Sequence, residues 1–272
     1  MRKIFYLFIL LSFFYACSSD PKKVEVETII PKTEELVASI NYDVIGKLPH
    51  DITAYTEGLF FYNNQIYEGT GAPENLPQIK TIVGILDTTK GKVDAKIDLG
   101  RTYFGEGVVI LNNKLYQLTY KNQIGFIYDA KTYKQIGQFS YKNKEGWGLT
   151  TDGTSLIMSD GTNILTYIDP LTLKPTKTIN VTNAGYAEDY INELEFIDGY
   201  IYANIWTKNY VIKIDLNTGK VVGTMDFSML TDEAHTKNPE SDVLNGIAYD
   251  VATKRMFITG KMFPEVYVLK LK

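Results

Sequence analysis

After about residue 40, apolar and polar positions alternate in short runs that turn residues separate. The runs are rich in Val, Ile, Thr and Tyr, and helical periodicity is hard to find in them. Five segments repeat one plan: a polar or glycine-containing start, an apolar strand, a turn and a second strand. They are "EGLFFYNNQIYEGTG", "GEGVVILNNKLYQLTYKN", "GWGLTTDGTSLIMSDGTN", "NELEFIDGYIYANIWTKN" and "NGIAYDVATKRMFITGKMF". This pattern predicts an all-β protein made of repeats.

The spacing of the repeats indicates their architecture. When the five segments are aligned, their equivalent entry positions are Glu57, Glu106, Trp147, Asn192 and Asn245, which are 49, 41, 45 and 53 residues apart. Repeats of this size with several strands each are typical of propeller blades, so five units predict a five-bladed propeller. An open β-sandwich is the alternative, although sandwiches do not usually contain near-equal repeats.

The two ends of the repeat region predict how the ring closes. The chain stops after "EVYVLKLK", so the fifth unit lacks the outer strand that the other units possess. Residues 39–50, "SINYDVIGKLPH", alternate like a strand but precede the first unit. If this strand joins the last blade, two open sheet edges disappear at once. We therefore expect an N-terminal strand to complete the fifth blade.

The same alignment predicts a functional site. In a propeller the innermost strand of each blade starts at one face of the ring, and the antiparallel second strand returns to that face. The starting positions should therefore converge with the ends of the second strands. Those ends are Gly71, Tyr120, Gly161, Trp206 and Lys261. Two tryptophans, two carboxylates, two amides and a lysine then surround one mouth of the channel, which favours a pocket for a small, polar, planar group.

Glu106 lies between two glycines at the start of an apolar strand. Taken alone, a glutamate in such a turn is usually solvent-exposed. The predicted convergence of Glu106 with Glu57 favours a functional carboxylate instead.

Other polar residues have structural interpretations. Glu193 and Glu195 flank Leu194 on one face of a strand, so we expect them to accept structural hydrogen bonds. Asp160 and Asp242 should cap turns, with a structural cation as the alternative. His235 falls in the polar insert "TDEAHTKNPES", which we interpret as a loop.

Composition excludes several classes of function. The 272 residues carry a net charge of −4, whereas a nucleic-acid-binding surface would need a basic stripe. The two histidines, His50 and His235, have no partner at metal-ligand spacing, so a catalytic zinc site is not expected. The sequence has no glycine-rich phosphate-binding loop.

The N-terminus has the features of an export signal. A basic start precedes the apolar run "IFYLFILLSFFYA", which is short for a membrane span. Cys17, the single cysteine, follows directly and resembles the lipidated cysteine of a bacterial lipobox; an ordinary cleaved signal with an incidental cysteine is the alternative. We thus expect a signal peptide over residues 1–16, a lipidated tether over 17–38 and a propeller over 39–272, anchored to the cell envelope on its periplasmic or outer face.

Six motifs in order resemble the plant-type glutaminyl cyclase family, also called glutamine cyclotransferases. They are "YTEGL", "YFGEGVVILNNKLYQLTYKNQIGFIYD", "GWGLTTDG", "SDGTN", "INELEFIDGYIYANIW" and "DVLNGIAYD…RMFITGKMFP". The resemblance covers the chain from about residue 42 to its end. It implies a five-bladed propeller that converts N-terminal glutamine into pyroglutamate and releases ammonia. Its substrates would be peptides or proteins with N-terminal glutamine.

The resemblance also implies roles for individual residues. Glu106 matches the family's catalytic acid/base, while Trp147, Asn192, Trp206 and Lys261 match its pocket residues. From their chemistry, Asn192, Lys261 and the Trp206 indole are candidate donors to the oxyanion that forms during cyclisation.

Two positions depart from the plant pattern. Glu57 stands where the plant enzymes have Gln, and Tyr120 stands where they have Trp, so substrate preference and pH optimum are open. Tyr55 and Tyr120 should help to wall the site. We expect catalysis without a metal and a monomeric protein, and the resemblance leaves a structural calcium ion open.

Two other functions remain compatible with a propeller. One is a non-catalytic surface protein that binds peptide termini or glycans at the same mouth, against which the set Glu106, Asn192 and Lys261 argues. The other is a metal-dependent hydrolase or lactonase, against which the missing histidine and carboxylate ligand set argues.

Overall fold

The computed structural model describes residues 37–272. The predicted signal peptide, Cys17 and nearly all of the predicted tether lie outside the described residues. Within the described part of the chain, no helix is long and apolar enough to cross a membrane.

The first two strands of the described chain pair with strands from the last two blades. They are β1 (Ala38–Ser39) and β2 (Tyr42–Pro49). Strand β1 pairs in parallel with the outer strand of the fourth blade, which the sequence does not predict. Strand β2 pairs antiparallel with the last strand of the chain, as predicted.

Blades one to three each contain four antiparallel strands in sequence order. The strands of blade one are β3 (Thr56–Tyr62), β4 (Gln65–Thr70), β5 (Thr81–Asp87) and β6 (Lys92–Gly100). The strands of blade two are β7 (Gly105–Leu111), β8 (Lys114–Thr119), β9 (Ile124–Asp129) and β10 (Gln135–Ser140). The strands of blade three are β11 (Leu149–Thr151), β12 (Leu156–Met158), β13 (Ile164–Ile168) and β14 (Pro175–Asn180).

A small hairpin separates blades three and four and consists of β15 (Thr182–Asn183) and β16 (Tyr186–Ala187). The strands of blade four are β17 (Ile191–Ile197), β18 (Tyr200–Ile205), β19 (Tyr210–Asp215) and β20 (Val221–Asp226). The helix α1 (Ser228–Lys237) follows, and blade five contains β21 (Leu244–Asp250), β22 (Arg255–Gly260) and β23 (Glu265–Leu271). Strand β2 is the fourth strand of blade five, so the predicted closure of the ring is confirmed.

The blades form a closed ring around their innermost strands. Strands β3, β7, β11, β17 and β21 contact one another in this order, and β21 contacts β3. Across residues 37–272 the apolar core divides into five clusters, one between each pair of neighbouring blades. The alternation of the strands explains this division, because each sheet turns an apolar face towards the next blade. The predicted all-β, five-bladed propeller is confirmed.

The helix α1 corrects one expectation. His235 lies on this helix and not in a loop, and its Nδ1 lies 2.8 Å from the carbonyl oxygen of Thr231. The segment buries only Leu230, Thr231 and Ala234, so its sequence has little amphipathic pattern to reveal a helix.

The junction where the ring closes contains a buried contact between a histidine and a glutamate. His50 directly follows β2, and its Nδ1 donates to the carbonyl oxygen of Phe263 at 2.6 Å. Its Nε2 lies 3.1 Å from Oε1 of Glu68, which also accepts a hydrogen bond from Thr56. Burial opposes a charge on His50, but the Glu68 carboxylate raises its pKa above the ordinary value. His50 therefore links the segment after β2 to blades one and five, at the place where the ring closes.

Candidate active site

Irregularities in the innermost strands position the predicted site residues. The strand pairing shifts register at the start of β3, β7, β17 and β21, around Glu57, Glu106, Asn192 and Asn245 respectively. A bulge at this place leaves a residue out of the ladder and re-aims its side chain. These residues can therefore point into the mouth of the channel instead of into a blade interface.

The glycines beside Glu106 are required by close packing. A Cβ atom at Gly107 would lie 2.3 Å from the backbone nitrogen of Leu149 in the neighbouring blade, and one at Gly105 would lie 2.5 Å from the side chain of Thr81. Gly107 N also donates to the Trp147 carbonyl oxygen at 2.7 Å. Glycine on both sides thus lets β7 approach its neighbours closely enough to bring Glu106 to the channel.

Glu57 and Lys261 form a buried ion pair below the pocket. Lys261 Nζ lies 2.8 Å from Oε1 of Glu57, and Nδ2 of Asn245 donates to Oε2 of Glu57 at 3.3 Å. Lys261 Nζ also lies 4.7 Å from the ring centre of Tyr55. Burial raises the pKa of Glu57 to about 7, while the Lys261 charge opposes this rise. The alignment brought these residues to one mouth but did not predict their pairing.

Glu106 has a different environment. Its side chain is buried, with 5% of the residue exposed, and no hydrogen bond to its carboxyl group occurs within residues 37–272. Burial raises the pKa of Glu106 well above its usual range, and the Glu57 carboxylate raises it further, against the opposing charge of Lys261. Because Lys261 neutralises Glu57 directly, the negative charge of the pair concentrates on Glu57. Of the two carboxyls, Glu106 is therefore the one whose surroundings favour the protonated form more strongly, because no cation contacts it directly.

Aromatic rings wall a pocket of about 210 Å³ above these groups. The indoles of Trp147 and Trp206 meet edge to face with ring centres 5.9 Å apart, and Tyr190 tilts against Trp206 at the same distance. On the other side, Phe104 lies 5.5 Å from Tyr120, centre to centre. The lining residues are Tyr55, Glu57, Phe104, Glu106, Tyr120, Trp147, Asn192, Trp206 and Lys261. The structure thus brings together all eight predicted catalytic and substrate-binding residues.

Sequence reasoning missed Phe104 in this wall. A Cβ atom at Gly71 would lie 2.3 Å from the Phe104 ring, so the glycine at the end of the second strand of blade one makes room for that ring. Glycine at two of the five second-strand ends was the available signal, because a Cβ atom at Gly161 would likewise lie 2.7 Å from the ring of Trp147.

Two polar contacts orient the walls, and two polar groups are left without a partner in the described part of the chain. The Nε1–H of Trp147 donates to Oε2 of Glu145 at 3.0 Å, and the hydroxyl of Tyr55 donates to Oδ2 of Asp242 at 2.8 Å. No partner among residues 37–272 accepts from Nε1 of Trp206. Asn192 Oδ1 is buried without a hydrogen-bond partner in the same part of the chain. The free indole N–H and the unsatisfied amide are therefore the groups left for a ligand.

The two candidate cation-binding aspartates behave differently. Asp160 Oδ1 accepts from the backbone nitrogen of Thr162 at 3.1 Å and caps its turn, as expected. The expectation that Asp242 caps a turn is wrong, because its carboxylate accepts from Tyr55 across 187 positions of sequence. Among residues 37–272, no group of three or more His, Cys, Asp and Glu side chains could hold a metal ion.

Glu193 and Glu195 are structural, as expected. Glu193 Oε1 accepts from the backbone nitrogen of Leu59 at 3.2 Å, and its Oε2 accepts from Ile247 at 2.9 Å. Glu195 accepts from the backbone nitrogen of Tyr249 at 2.9 Å. Strand β17 thus uses two buried glutamates to satisfy the backbone of neighbouring inner strands.

Comparisons with known proteins agree with this geometry. The sequence model of the family described as glutamine cyclotransferase matches residues 9–271. The chain is 37% identical over 232 residues to the glutaminyl-peptide cyclotransferase of Arabidopsis thaliana, over 85% of this chain and 71% of the plant protein. The crystal structure of Myxococcus xanthus glutaminyl cyclase superposes with a TM-score of 0.79 at 32% identity, over 87% of this chain and 99% of the other.

Proposed function

This chain belongs to the glutamine cyclotransferase family, and we propose that it converts the N-terminal glutamine of peptides and proteins into pyroglutamate with release of ammonia. The observation that carries the proposal is the buried carboxyl of Glu106, which has no hydrogen-bond partner among residues 37–272 and lines a pocket of about 210 Å³. This volume suits one side chain better than a large ligand, since sites for drug-sized molecules span about 300–1,000 Å³.

The reaction needs a proton carrier more than it needs an external nucleophile. The substrate's own α-amine attacks the carbonyl carbon of its side-chain amide, so proximity is built into the molecule. A carbon–nitrogen bond forms, the carbonyl oxygen gains negative charge, and the original bond to the amide nitrogen then breaks. That nitrogen must gain a proton to leave as ammonia, while the attacking amine must lose one.

Glu106 is suited to both transfers. Because its raised pKa keeps it protonated near neutral pH, it can donate its proton to the departing nitrogen. The resulting carboxylate can accept the proton of the attacking amine, which returns Glu106 to its starting state. No net proton is consumed, and the same residue serves as acid and base in each turnover.

The remaining polar groups would stabilise the oxyanion. Trp206 Nε1 is a free donor, whereas the corresponding group of Trp147 is engaged with Glu145. Lys261 uses one of its donors on Glu57 and supplies positive charge to the pocket floor. The Nδ2–H group of Asn192 would be the third donor, since the amide oxygen can only accept. Trp147, Tyr55 and Tyr120 would hold the planar amide of the substrate between rings.

The test is a coupled assay of ammonia release from a glutaminyl dipeptide, with mass spectrometry of the cyclised product. We expect turnover by the wild-type protein that persists after treatment with a chelator, because every step above uses side chains alone. Binding without turnover would indicate the non-catalytic surface protein, and turnover abolished by the chelator would indicate a metal-dependent enzyme.

We also propose that Cys17 carries a lipid that holds the propeller at the cell envelope. The support is the sequence context "FYAC" followed by the polar run "SSDPKK". An acyl anchor contributes about 0.8 kcal/mol per buried CH₂ group. Cys17→Ser should lose the label of a fatty-acid probe and accumulate as precursor, and equal labelling of the variant would contradict the proposal.

A further inference from the structure

A second cavity adjoins the active-site pocket. It has a volume of about 480 Å³ and shares two lining residues, Phe104 and Tyr120, with the pocket. The other lining residues are Ala72, Pro73, Glu74, Arg101, Thr102, Lys121 and Asn122. We call it the Arg101 cavity. The rings of Phe104 and Tyr120 form the partition between the two spaces.

A peptide substrate needs such a space. If the glutamine side chain and the α-amine lie in the pocket, the rest of the chain must leave through the mouth. Each following residue extends the peptide by up to about 3.6 Å, so the second and third residues lie directly outside the pocket. The Arg101 cavity begins at the pocket wall and is more than twice as large as the pocket, which gives these residues a place to bind.

The charges of the cavity are unequal. Arg101 donates to the carbonyl oxygens of Pro73 at 2.8 Å, Leu76 at 3.0 Å and Ile79 at 2.7 Å, which fixes its guanidinium. Within residues 37–272 no carboxylate pairs with Arg101.

The second cation, Lys121, lies 4.5 Å from the ring centre of Tyr120 and 3.9 Å from an oxygen of the half-buried Glu145. Glu74 is the single carboxylate that lines the cavity. Arg101 and Lys121 thus line the cavity with one carboxylate, and Glu145, which lies outside the lining, pairs with Lys121. Arg101 is the cation that is held in place without a carboxylate among residues 37–272 to compensate it. A ligand with a negative charge would supply that compensation.

We propose that the Arg101 cavity binds the second and third residues of the peptide substrate and favours acidic side chains there. This inference rests on the proposed function, because it extends the same site along the substrate. Phe104 and Tyr120 separate the reacting glutamine from the residues that select the peptide.

The test compares kcat/KM for the tripeptides Gln-Glu-Ala and Gln-Lys-Ala at low salt, with glutamine amide as the substrate that lacks these residues. We expect the acidic tripeptide to be preferred about two- to fivefold, the range of a solvent-exposed ion pair, and the preference to shrink at high salt. Lys121→Glu should abolish or invert this ratio. Asn122→Trp, which narrows the cavity, should lower kcat/KM for both tripeptides more than for glutamine amide.

Lys208→Glu is the matched control, because Lys208 is an exposed lysine two residues after Trp206, outside the cavity. This variant should leave the ratio of kcat/KM for the two tripeptides as in the wild type.

If Lys121→Glu and Lys208→Glu change that ratio equally, the selectivity comes from the net charge of the whole protein, and the proposed subsite is wrong. Equal kcat/KM for the two tripeptides would also contradict the subsite. So would a selectivity that only Tyr190→Ala removes, because Tyr190 contacts Trp206 and does not line the Arg101 cavity. If the tripeptides cyclise without selectivity, the subsite alone fails; if glutamine amide and both tripeptides are inert, the proposed function fails and the subsite with it.

Discussion

Two pairs of buried glutamates lie on the inner strands of the propeller, and they differ in what their oxygen atoms contact. Glu193 and Glu195 accept hydrogen bonds from the backbone of Leu59, Ile247 and Tyr249. Glu57 pairs with Lys261 beneath the pocket, while Glu106 has no hydrogen bond to any residue from 37 to 272.

Burial raises the pKa of both pairs. It raises that of Glu195 to about 8 and that of Glu193 well above the usual range, and it does the same for Glu106. A raised pKa therefore does not separate a functional carboxyl from a structural one here. The separation comes from geometry, since backbone donors occupy the oxygens of the first pair, whereas Glu106 is free to exchange a proton with a molecule in the pocket.

Replacing the free carboxyl should have the largest effect. Glu106→Gln preserves the shape of the side chain but removes its ionisable proton, so ammonia release should fall by about 10²–10⁴-fold, the usual contribution of a general acid–base group. The measurement is kcat on a glutaminyl dipeptide.

The stability of this variant has a defined pH dependence. A carboxyl whose pKa is raised in the folded state is easiest to bury below its unfolded pKa, near 4.5, and it destabilises the fold as pH rises above that value. Glu106→Gln should therefore melt like the wild type at low pH and at a higher temperature at neutral pH. An earlier melting transition at neutral pH would place Glu106 with the structural pair.

The structural pair should respond in the opposite way. Glu193→Ala leaves two buried backbone N–H groups unsatisfied, so the free energy of unfolding should fall by about 2–6 kcal/mol, at about 1–3 kcal/mol for each group. Glu106→Ala is the matched control, because it removes no hydrogen bond to the part of the chain that the structure describes. Chemical denaturation of both variants measures the difference, and equal losses would remove the distinction between the pairs.

Removing the indole N–H of Trp206, another group that lines the pocket, should have a smaller effect. Trp206→Phe retains an aromatic wall but removes the free Nε1–H, so kcat should fall about 10²-fold, as for other oxyanion donors. The thermal midpoint should change little, because Trp206 is 41% exposed. Unchanged kcat would remove this indole from the oxyanion site.

The smallest expected effect is a shift in pH dependence. Glu57→Gln removes the negative charge that raises the pKa of Glu106 and leaves Lys261, which lowers it. Activity that needs protonated Glu106 is lost as pH rises through this pKa. The alkaline limb of the kcat/KM profile should thus move to lower pH by about one unit, the lower end of typical shifts by a neighbouring charge. An unshifted limb would show that the carboxyls do not interact.

The sequence was sufficient for the blade count, the closure by residues 39–50 and the convergence of eight site residues, because strand alternation and repeat length determine where strand ends meet. The sequence could not predict that Lys261 pairs with Glu57, because contacts across the ring depend on side-chain directions that the bulges set. The bond from Tyr55 to Asp242 joins distant segments without a local pattern. The helix at His235 lacks the apolar periodicity that would reveal it.

The most direct test of the account is the protonation state of Glu106 in the folded protein. Infrared difference spectra between the wild type and Glu106→Gln, recorded across a pH titration, report the carbonyl stretch of a protonated carboxyl. The account predicts that this band is present at neutral pH and disappears only at higher pH. A Glu106 that is already ionised below pH 5, like an exposed glutamate, would contradict the claim that an isolated buried carboxyl carries the proton of the reaction.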